Sequence, residues 1–278
     1  MISIIICSRE INLKPLLIEN IKKTIGCDYE LIVIDNSRNT YSIFEAYNLG
    51  IEKSVGSFLC FIHDDILFHT QNWGTIVKTI FDSDNNIGLL GLAGSKVKTK
   101  MPSAWFNCDV SESVYNVIQH IPKDKKEEWF FGFVNPLEEL VVIDGFFMVI
   151  KKECQVYFNV TLKGFHNYDL NISFEVLKKG YKIVGTNEIL IEHFSLGNVN
   201  KDWVQSTYQI HKMYHKFLPL NLELNKNNKE HEIINAKLFI NKSLNFGFKY
   251  IALKVWCELF LLQPISKYHF RFWINLLK

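Results

Sequence analysis

Short, uninterrupted apolar runs alternate with segments of helical spacing along the first part of the chain. The runs "ISIIIC" (2–7), "ELIVID" (30–35) and "SFLCFI" (57–62) have the character of strands covered on both faces. Between the first two, Leu13, Leu16, Leu17, Ile21 and Ile25 recur at helical spacing, and "YSIFEAYNLGIEKSV" (41–55) carries a second helical pattern. Strand, helix, strand, helix, strand predicts a parallel sheet with right-handed crossovers, an α/β domain of the nucleotide-binding type.

Further strands are predicted at "IGLLGLAG" (87–94) and "LVVIDGFFMVI" (140–150). Residues 95–139 read as irregular, with Pro102, Pro122, Pro136, the charge run "KDKKEE" and the aromatics Trp105, Trp129, Phe130 and Phe131. A connection this long is either functional or a solvated insertion with its own aromatic cluster. A short helix from Lys151, the loop "TLKGFHN", a helix "YDLNISFEVLKKG" (168–180) and strands "YKIVG" and "EILIEHF" follow. Residues 200–278 read as mainly helical, with a polar linker or exposed loop at 221–232 and Pro264 dividing two helices. No internal repeat is present.

With 278 residues, 48% of them hydrophobic, the chain can bury one large domain or a domain with an appended lobe. The formal charge of +2 lacks the basic footprint of a nucleic-acid binder. Six scattered cysteines without a CxxC pair favour reduced thiols over a disulfide framework or a zinc site. The N-terminal run is too short for a signal peptide, and no segment reaches the length of a membrane span. A cytoplasmic protein is the expectation.

Polar constellations follow the first three strands: "CSRE", "DNSRNT" and "HDD". Ligand sites in open α/β sheets gather at these carboxyl ends. His63, Asp64 and Asp65 interrupt an otherwise apolar run, and buried charge needs a partner, a metal or solvent. Strand alternation lets His63 and Asp65 share a face while Asp64 points away unless the backbone turns. Oxygen donors suit Mg²⁺ or Mn²⁺, and an imidazole tilts such a site toward Mn²⁺. An acidic turn capping the next helix is the alternative.

The succession "ISIIICSRE", "LIVIDNSRN", "AYNLGIEKSVGSFLCFIHDD", "VVIDGFFMVIKKE", "GFHNYDLNISFEVLKKGYKI" and "ILIEHFSLG" resembles glycosyltransferase family 2 with the GT-A fold, over about residues 1–197. The resemblance implies a Rossmann-like, mostly parallel central sheet flanked by helices. Residues 1–199 form the catalytic domain, with a nucleotide-binding half (1–94) and an acceptor-binding half (95–199). Residues 200–278 form a helical extension. It also implies an inverting transfer from a nucleotide-diphosphate sugar, most often a UDP-sugar, to a hydroxyl acceptor on a glycan or lipid-linked saccharide, with Mn²⁺ or Mg²⁺ as cofactor.

By the resemblance, Ser8, Arg9 and Glu10 form the first nucleotide-contacting loop. Asp35 meets the base or ribose with Asn36 and Ser37 beside it, and Asn48 lies on the donor side in "A-x-N-x-G-I". His63, Asp64 and Asp65 occupy the place of an Asp-x-Asp metal motif, with Asp65 the first-choice ligand and His63 a departure from the pattern. His193 resembles the histidine that completes the cation site. Asp144 and Gly145 line the donor sugar and acceptor, and His166 stands near the same pocket. The family's catalytic Glu-Asp pair becomes Tyr168 and Asp169, with Asn171 where a second Asp is frequent, so Asp169 is the expected general base. A noncatalytic nucleotide-sugar-binding protein with a degenerate site is the alternative. The segment 245–278 is basic and aromatic-rich, and either lies on an anionic membrane surface or packs against the catalytic domain or a second subunit.

Overall fold

The computed structural model describes residues 1–122, 125–222 and 229–277. The α/β class is as expected, with the strands Ile2–Ser8, Tyr29–Asp35 and Phe58–Ile62 and the helices Pro15–Thr24 and Ile43–Lys53 alternating along the chain. The second helix opens on a capping box in which Ser42 and Glu45 exchange side-chain and backbone hydrogen bonds. In the first, Leu13, Leu17, Ile21 and Ile25 form the buried stripe, while Leu16 is 63% exposed because it falls off that face.

The larger sheet has seven strands in the order Leu137–Leu140, Lys182–Thr186, Ile87–Gly91, Phe147–Lys151, Phe58–Ile62, Ile2–Ser8, Tyr29–Asp35. It is mostly parallel, as expected, with five strands running one way, but not purely so: Phe147–Lys151 runs antiparallel to both neighbours, and Leu137–Leu140 is antiparallel at the edge. A second sheet orders Val142–Ile143, Ala93–Ser95, Ser113–Ile121, Ile191–His193 and Ile66–Phe68, with Lys125–Phe131 paired to Ser113–Ile121. Two expected strands are therefore divided. The segment 87–94 passes from the larger sheet to the second beyond Gly91, and 140–150 crosses between them at Asp144 and Gly145.

Residues 95–139 are not irregular. Their main element is the antiparallel pair Ser113–Ile121 with Lys125–Phe131. Its alternation is hidden because Ser113, Asn116 and Gln119 are polar yet buried, each hydrogen-bonded to backbone carbonyls. Of the charge run at 123–128, Lys123 and Asp124 lie outside the described residues. In place of a short helix from Lys151 there is a single 3-10 turn, Lys152–Cys154. The expected linker at 221–232 falls partly outside the described residues, at 223–228. Its flanks are the strand Leu220–Asn221, paired with Val97–Lys98, and the helix Lys229–Asn245.

The main core fills the space around both sheets, and a second apolar cluster joins Trp203, Phe239, Val255, Leu259 and Phe272 to Met101 and Ala104. The helix Lys201–Met213 contributes to both, with Trp203 in one and Ile210 in the other. Helices Lys249–Leu262 and Lys267–Leu277 flank Pro264. All six cysteines are unpaired. Among the described residues no helix is long and apolar enough to cross a membrane.

Candidate functional site

Three strand registers converge on the end of Phe58–Ile62. His63 follows it directly, and the chain continues through Asp64 and Asp65 into Ile66–Phe68 of the second sheet. Antiparallel pairing there sets Ile66 opposite His193, and the Phe194 N–H donates to the Asp65 carbonyl at 3.0 Å. Parallel pairing sets His193 beside Gln119. On the other side, the His63 N–H donates to the Phe146 carbonyl at 3.2 Å, which seats the Asp144-Gly145 turn against the same spot.

His63, Asp65 and His193 thus meet. His63 Nδ1 is 3.2 Å from His193 Nε2, and Asp65 Oδ1 is 3.8 and 3.6 Å from those two nitrogens. Burial lowers the pKa of His63, and burial together with the neighbouring His63 lowers that of His193 to about 4. Both imidazoles are therefore neutral near pH 7, the form that ligates metals. Two nitrogens and one carboxylate oxygen suit a transition ion such as Mn²⁺, and the three donor atoms lie within 4.8 Å of one another. These residues fit the cation that the resemblance implies.

Asp64 lies in the bend between Phe58–Ile62 and Ile66–Phe68, where the backbone turns and strand alternation no longer applies, and accepts from Ser8 Oγ at 3.0 Å; Ser8 Oγ in turn accepts from the Glu10 N–H. Tyr168, at the start of the helix Tyr168–Lys178, places its hydroxyl 2.5 Å from His63 Nε2. Gly145 makes room for it, since a Cβ there would lie 2.3 Å from the Tyr168 hydroxyl oxygen. Asp144 accepts from the Trp105 indole at 2.8 Å and from the Phe146 N–H at 3.0 Å, so it both caps its turn and holds the aromatic wall.

Asp169 follows Tyr168. Burial, helped by the negative charge of Asp144, raises its pKa to about 7 against the hydrogen bond from its neighbour Leu170 N–H and the charge of Lys98. Lys98 is itself buried, which lowers its pKa to about 7, and it donates to Ser103 Oγ. Asp64, Asp65, Asp144 and Asp169 line this region, and among the described residues none of them pairs with a lysine or arginine at ion-pair distance. Such a concentration of uncompensated carboxylate favours a bound cation.

The remaining expected donor-side residues take varied positions. Arg9 sits over the Phe165 ring at 5.6 Å from its centroid, and its charge opposes protonation of His63 and His166. Asp35 and Ser37 are exposed, with the Ser37 N–H bonded to the Asp35 carboxylate at 2.9 Å and lowering its pKa. Asn36 is buried and clamps the backbone of Tyr41 with both ends of its amide. Asn48 does the same to Phe158, at 2.8 and 2.9 Å, so its side chain fixes a loop rather than offering free groups to a donor. His166 is half-buried, and its carbonyl accepts from Ser206 Oγ at 3.1 Å. Asn171 is buried between the Asn159 backbone and the Tyr214 hydroxyl, away from any catalytic duty.

Gln119 was not legible as a site residue. Its amide nitrogen donates to the carbonyls of His120, His193 and Ser195, which leaves Oε1 to face His193 Nδ1 at 3.1 Å. The available signal was a second polar residue, after Asn116, in the same strand; three positions apart, the two lie on opposite faces, so the pattern does not say what either one holds.

A family model described as "Glycosyltransferase like family" matches residues 3–233. No curated protein matches the chain. Among solved structures it is similar to GalNAc-T7 with UDP, GalNAc and Mn²⁺, at 12% identity and a TM-score of 0.51, over 83% of this chain and 54% of that one. It thus spans about half the length of GalNAc-T7. It is also similar to TarS 1-349 of S. aureus in complex with UDP, at 12% identity and a TM-score of 0.51, over 99% of this chain and 78% of that one. The complex of the same TarS fragment with UDP-GlcNAc matches at 11% identity and the same TM-score. These likenesses give the GT-A fold.

Proposed function

We propose, given that the chain belongs to the glycosyltransferase-like family, that it moves a sugar from a nucleotide-diphosphate donor, UDP-linked, to a hydroxyl of a glycan or lipid-linked saccharide. The observation that carries this reading is the meeting of His63, Asp65 and His193 at the carboxyl end of the strand Phe58–Ile62, beside an acid whose pKa is raised to about 7. The presence of UDP in the GalNAc-T7 and TarS structures supports UDP as the nucleotide, and Mn²⁺ in the former supports the choice of ion.

His63, Asp65 and His193 would hold the ion, with Tyr168 and Gln119 orienting the two rings. A bound divalent cation supplies charge stabilisation to a diphosphate leaving group. Ser8, Arg9 and Glu10 line the nucleotide side, and the exposed Asp35 and Ser37 are free to meet the base or ribose. Asp169 accepts the proton of the acceptor hydroxyl as its oxygen bonds to the anomeric carbon, while the bond from that carbon to the diphosphate oxygen breaks and the nucleotide departs with the electron pair. A pKa near neutrality suits that task, because the group is ionised in part yet still basic. Attack opposite the departing group inverts the anomeric centre in one displacement.

A panel of nucleotide sugars, scored by Mn²⁺-dependent thermal stabilisation and then by donor hydrolysis, tests the reading. One donor should raise the melting temperature only with Mn²⁺, and Asp65→Ala should remove both the shift and the turnover. Stabilisation without turnover across donors and acceptors would instead mark a noncatalytic nucleotide-sugar-binding protein. No shift with any donor would end the proposal.

A further inference from the structure

The C-terminal helices carry two apolar faces, and the core uses only one. In Lys267–Leu277, Phe272 is buried and stacks on Trp256 at 5.0 Å, with Tyr268 and Leu276 packed on the same cluster. The opposite side presents Phe270, Ile274 and Leu277, with Phe270 74% and Leu277 81% exposed, and Trp273 at its edge, where the ring also packs on Trp256 at 5.1 Å. The preceding helix and turn add Leu261 and Ile265, the latter 94% exposed. A helix that packs on one side and remains apolar on the other has a second surface to cover.

Charge decides what covers it. Over residues 246–277 the chain has the cations Lys249, Lys254, Lys267 and Arg271 against the acid Glu258. Lys267 and Arg271 flank the exposed apolar face one turn apart. If a second copy docked here about a two-fold axis, this cationic surface would meet itself with almost no acid to offset it. An anionic bilayer complements both properties: apolar side chains enter the boundary of the acyl region while the lysine and arginine heads stay among the phosphates.

We propose that the outer face of Phe270, Trp273, Ile274 and Leu277, with Leu261 and Ile265, is a docking surface for an anionic phospholipid membrane. The surface is tied to the acceptor half of the site. The Glu232 carboxylate accepts the Lys100 and Met101 N–H groups at 2.7 Å each, and Met101 and Ala104 share the apolar cluster of Phe272. The next residue, Trp105, binds Asp144. Docking would therefore hold the acceptor side close to lipid headgroups. Only that use of the surface, presenting a lipid-linked acceptor, rests on the transferase reading; the docking does not.

Flotation of the full chain with vesicles of phosphatidylcholine, alone or mixed with phosphatidylglycerol, tests this at low and high salt. Binding should require phosphatidylglycerol and fall with salt. Lys267→Gln with Arg271→Gln should weaken it about 30-fold, the loss of two cationic contacts. Phe270→Ser with Ile265→Ser should abolish it without lowering the melting temperature, since these side chains are 74% and 94% exposed. Equal binding to both vesicles, binding to neither, or a dimer in sedimentation that the Phe270→Ser, Ile265→Ser variant dissociates would overturn the proposal. The Mn²⁺ and UDP thermal shift, measured on the same samples without lipid, reports the donor site separately.

Discussion

Gln119 Oε1 stands 3.1 Å from His193 Nδ1, and its orientation is fixed because its amide nitrogen is already bonded to backbone carbonyls. Nδ1 must therefore carry the proton when the ring is neutral, and the lone pair of Nε2 is left facing Asp65 and His63. A residue that touches no ligand thus decides which histidine nitrogen can bind an ion. The Tyr168 hydroxyl, which can donate or accept, plays the complementary part for His63.

Gln119→Leu should weaken Mn²⁺ binding roughly 10- to 100-fold, the usual cost of losing such an outer hydrogen bond to a ligand. Titration of free Mn²⁺ by electron paramagnetic resonance reads this without turnover. Unchanged affinity in a folded variant would show that His193 needs no such support.

Gly145→Ala places a methyl group within 2.5 Å of Tyr168 ring atoms. Tyr168 must then shift off His63, so the variant should lose about 1–3 kcal/mol of stability and bind Mn²⁺ more weakly. Tyr168→Phe removes the hydrogen bond without the clash and should cost only about 1 kcal/mol. Denaturant melts of the two variants, compared side by side, separate crowding from the lost hydroxyl.

Asp169→Asn should reduce transfer by roughly 10²- to 10⁴-fold, the usual worth of a positioned base. In the wild type, kcat/KM should rise with pH through an ionisation near 7. The same raised pKa makes the native state hold a proton that the unfolded chain releases from about pH 4 upward. The contribution of Asp169 to stability therefore falls as pH rises between about 4 and 7, by about 4 kcal/mol at about 1.36 kcal/mol per pKa unit, and Asp169→Asn should gain on wild type by about that amount across the window. Parallel stability curves for the two proteins across pH 4–8 would contradict the assignment.

The depressed pKa of His193, about 4 against an ordinary 6.5, sets the acid side. The native ring stays neutral where the unfolded one takes up a proton, so the contribution of His193 to metal-free stability falls as pH drops from 6.5 toward 4, opposite in sign to that of Asp169, and the difference between wild type and His193→Ala isolates it. The ion-binding form persists in that window, and Mn²⁺ should still raise the melting temperature at pH 5.5. His193→Ala should remove the Mn²⁺ shift at every pH.

The αβ alternation of the first three strands and the placement of three polar constellations at their carboxyl ends were readable from the local hydrophobic pattern, but Tyr29–Asp35 is an edge strand in which only Ile34 is buried, not a strand covered on both faces. That pattern failed at Ser113–Ile121, where the buried Asn116 and Gln119 are satisfied by distant carbonyls and the buried Ser113 by that of Val110. It also missed the sheet changes in 87–94 and 140–150, since an apolar run reads alike whichever sheet it joins. The mixed direction of the larger sheet has the same origin: strand patterns carry no sign of their partner's orientation.

By itself the sequence determined which residue types were available for chemistry and where the first strands end, and its likeness to a family put Asp65 and His193 at one cation site. Tertiary structure alone decided that His63 meets His193, that Gln119 fixes the tautomer of His193, and that Asn36 and Asn48 hold loops. The physical reason is range: alternation acts between adjacent residues, whereas these contacts depend on the register of strands more than a hundred residues apart in the case of His63 and His193.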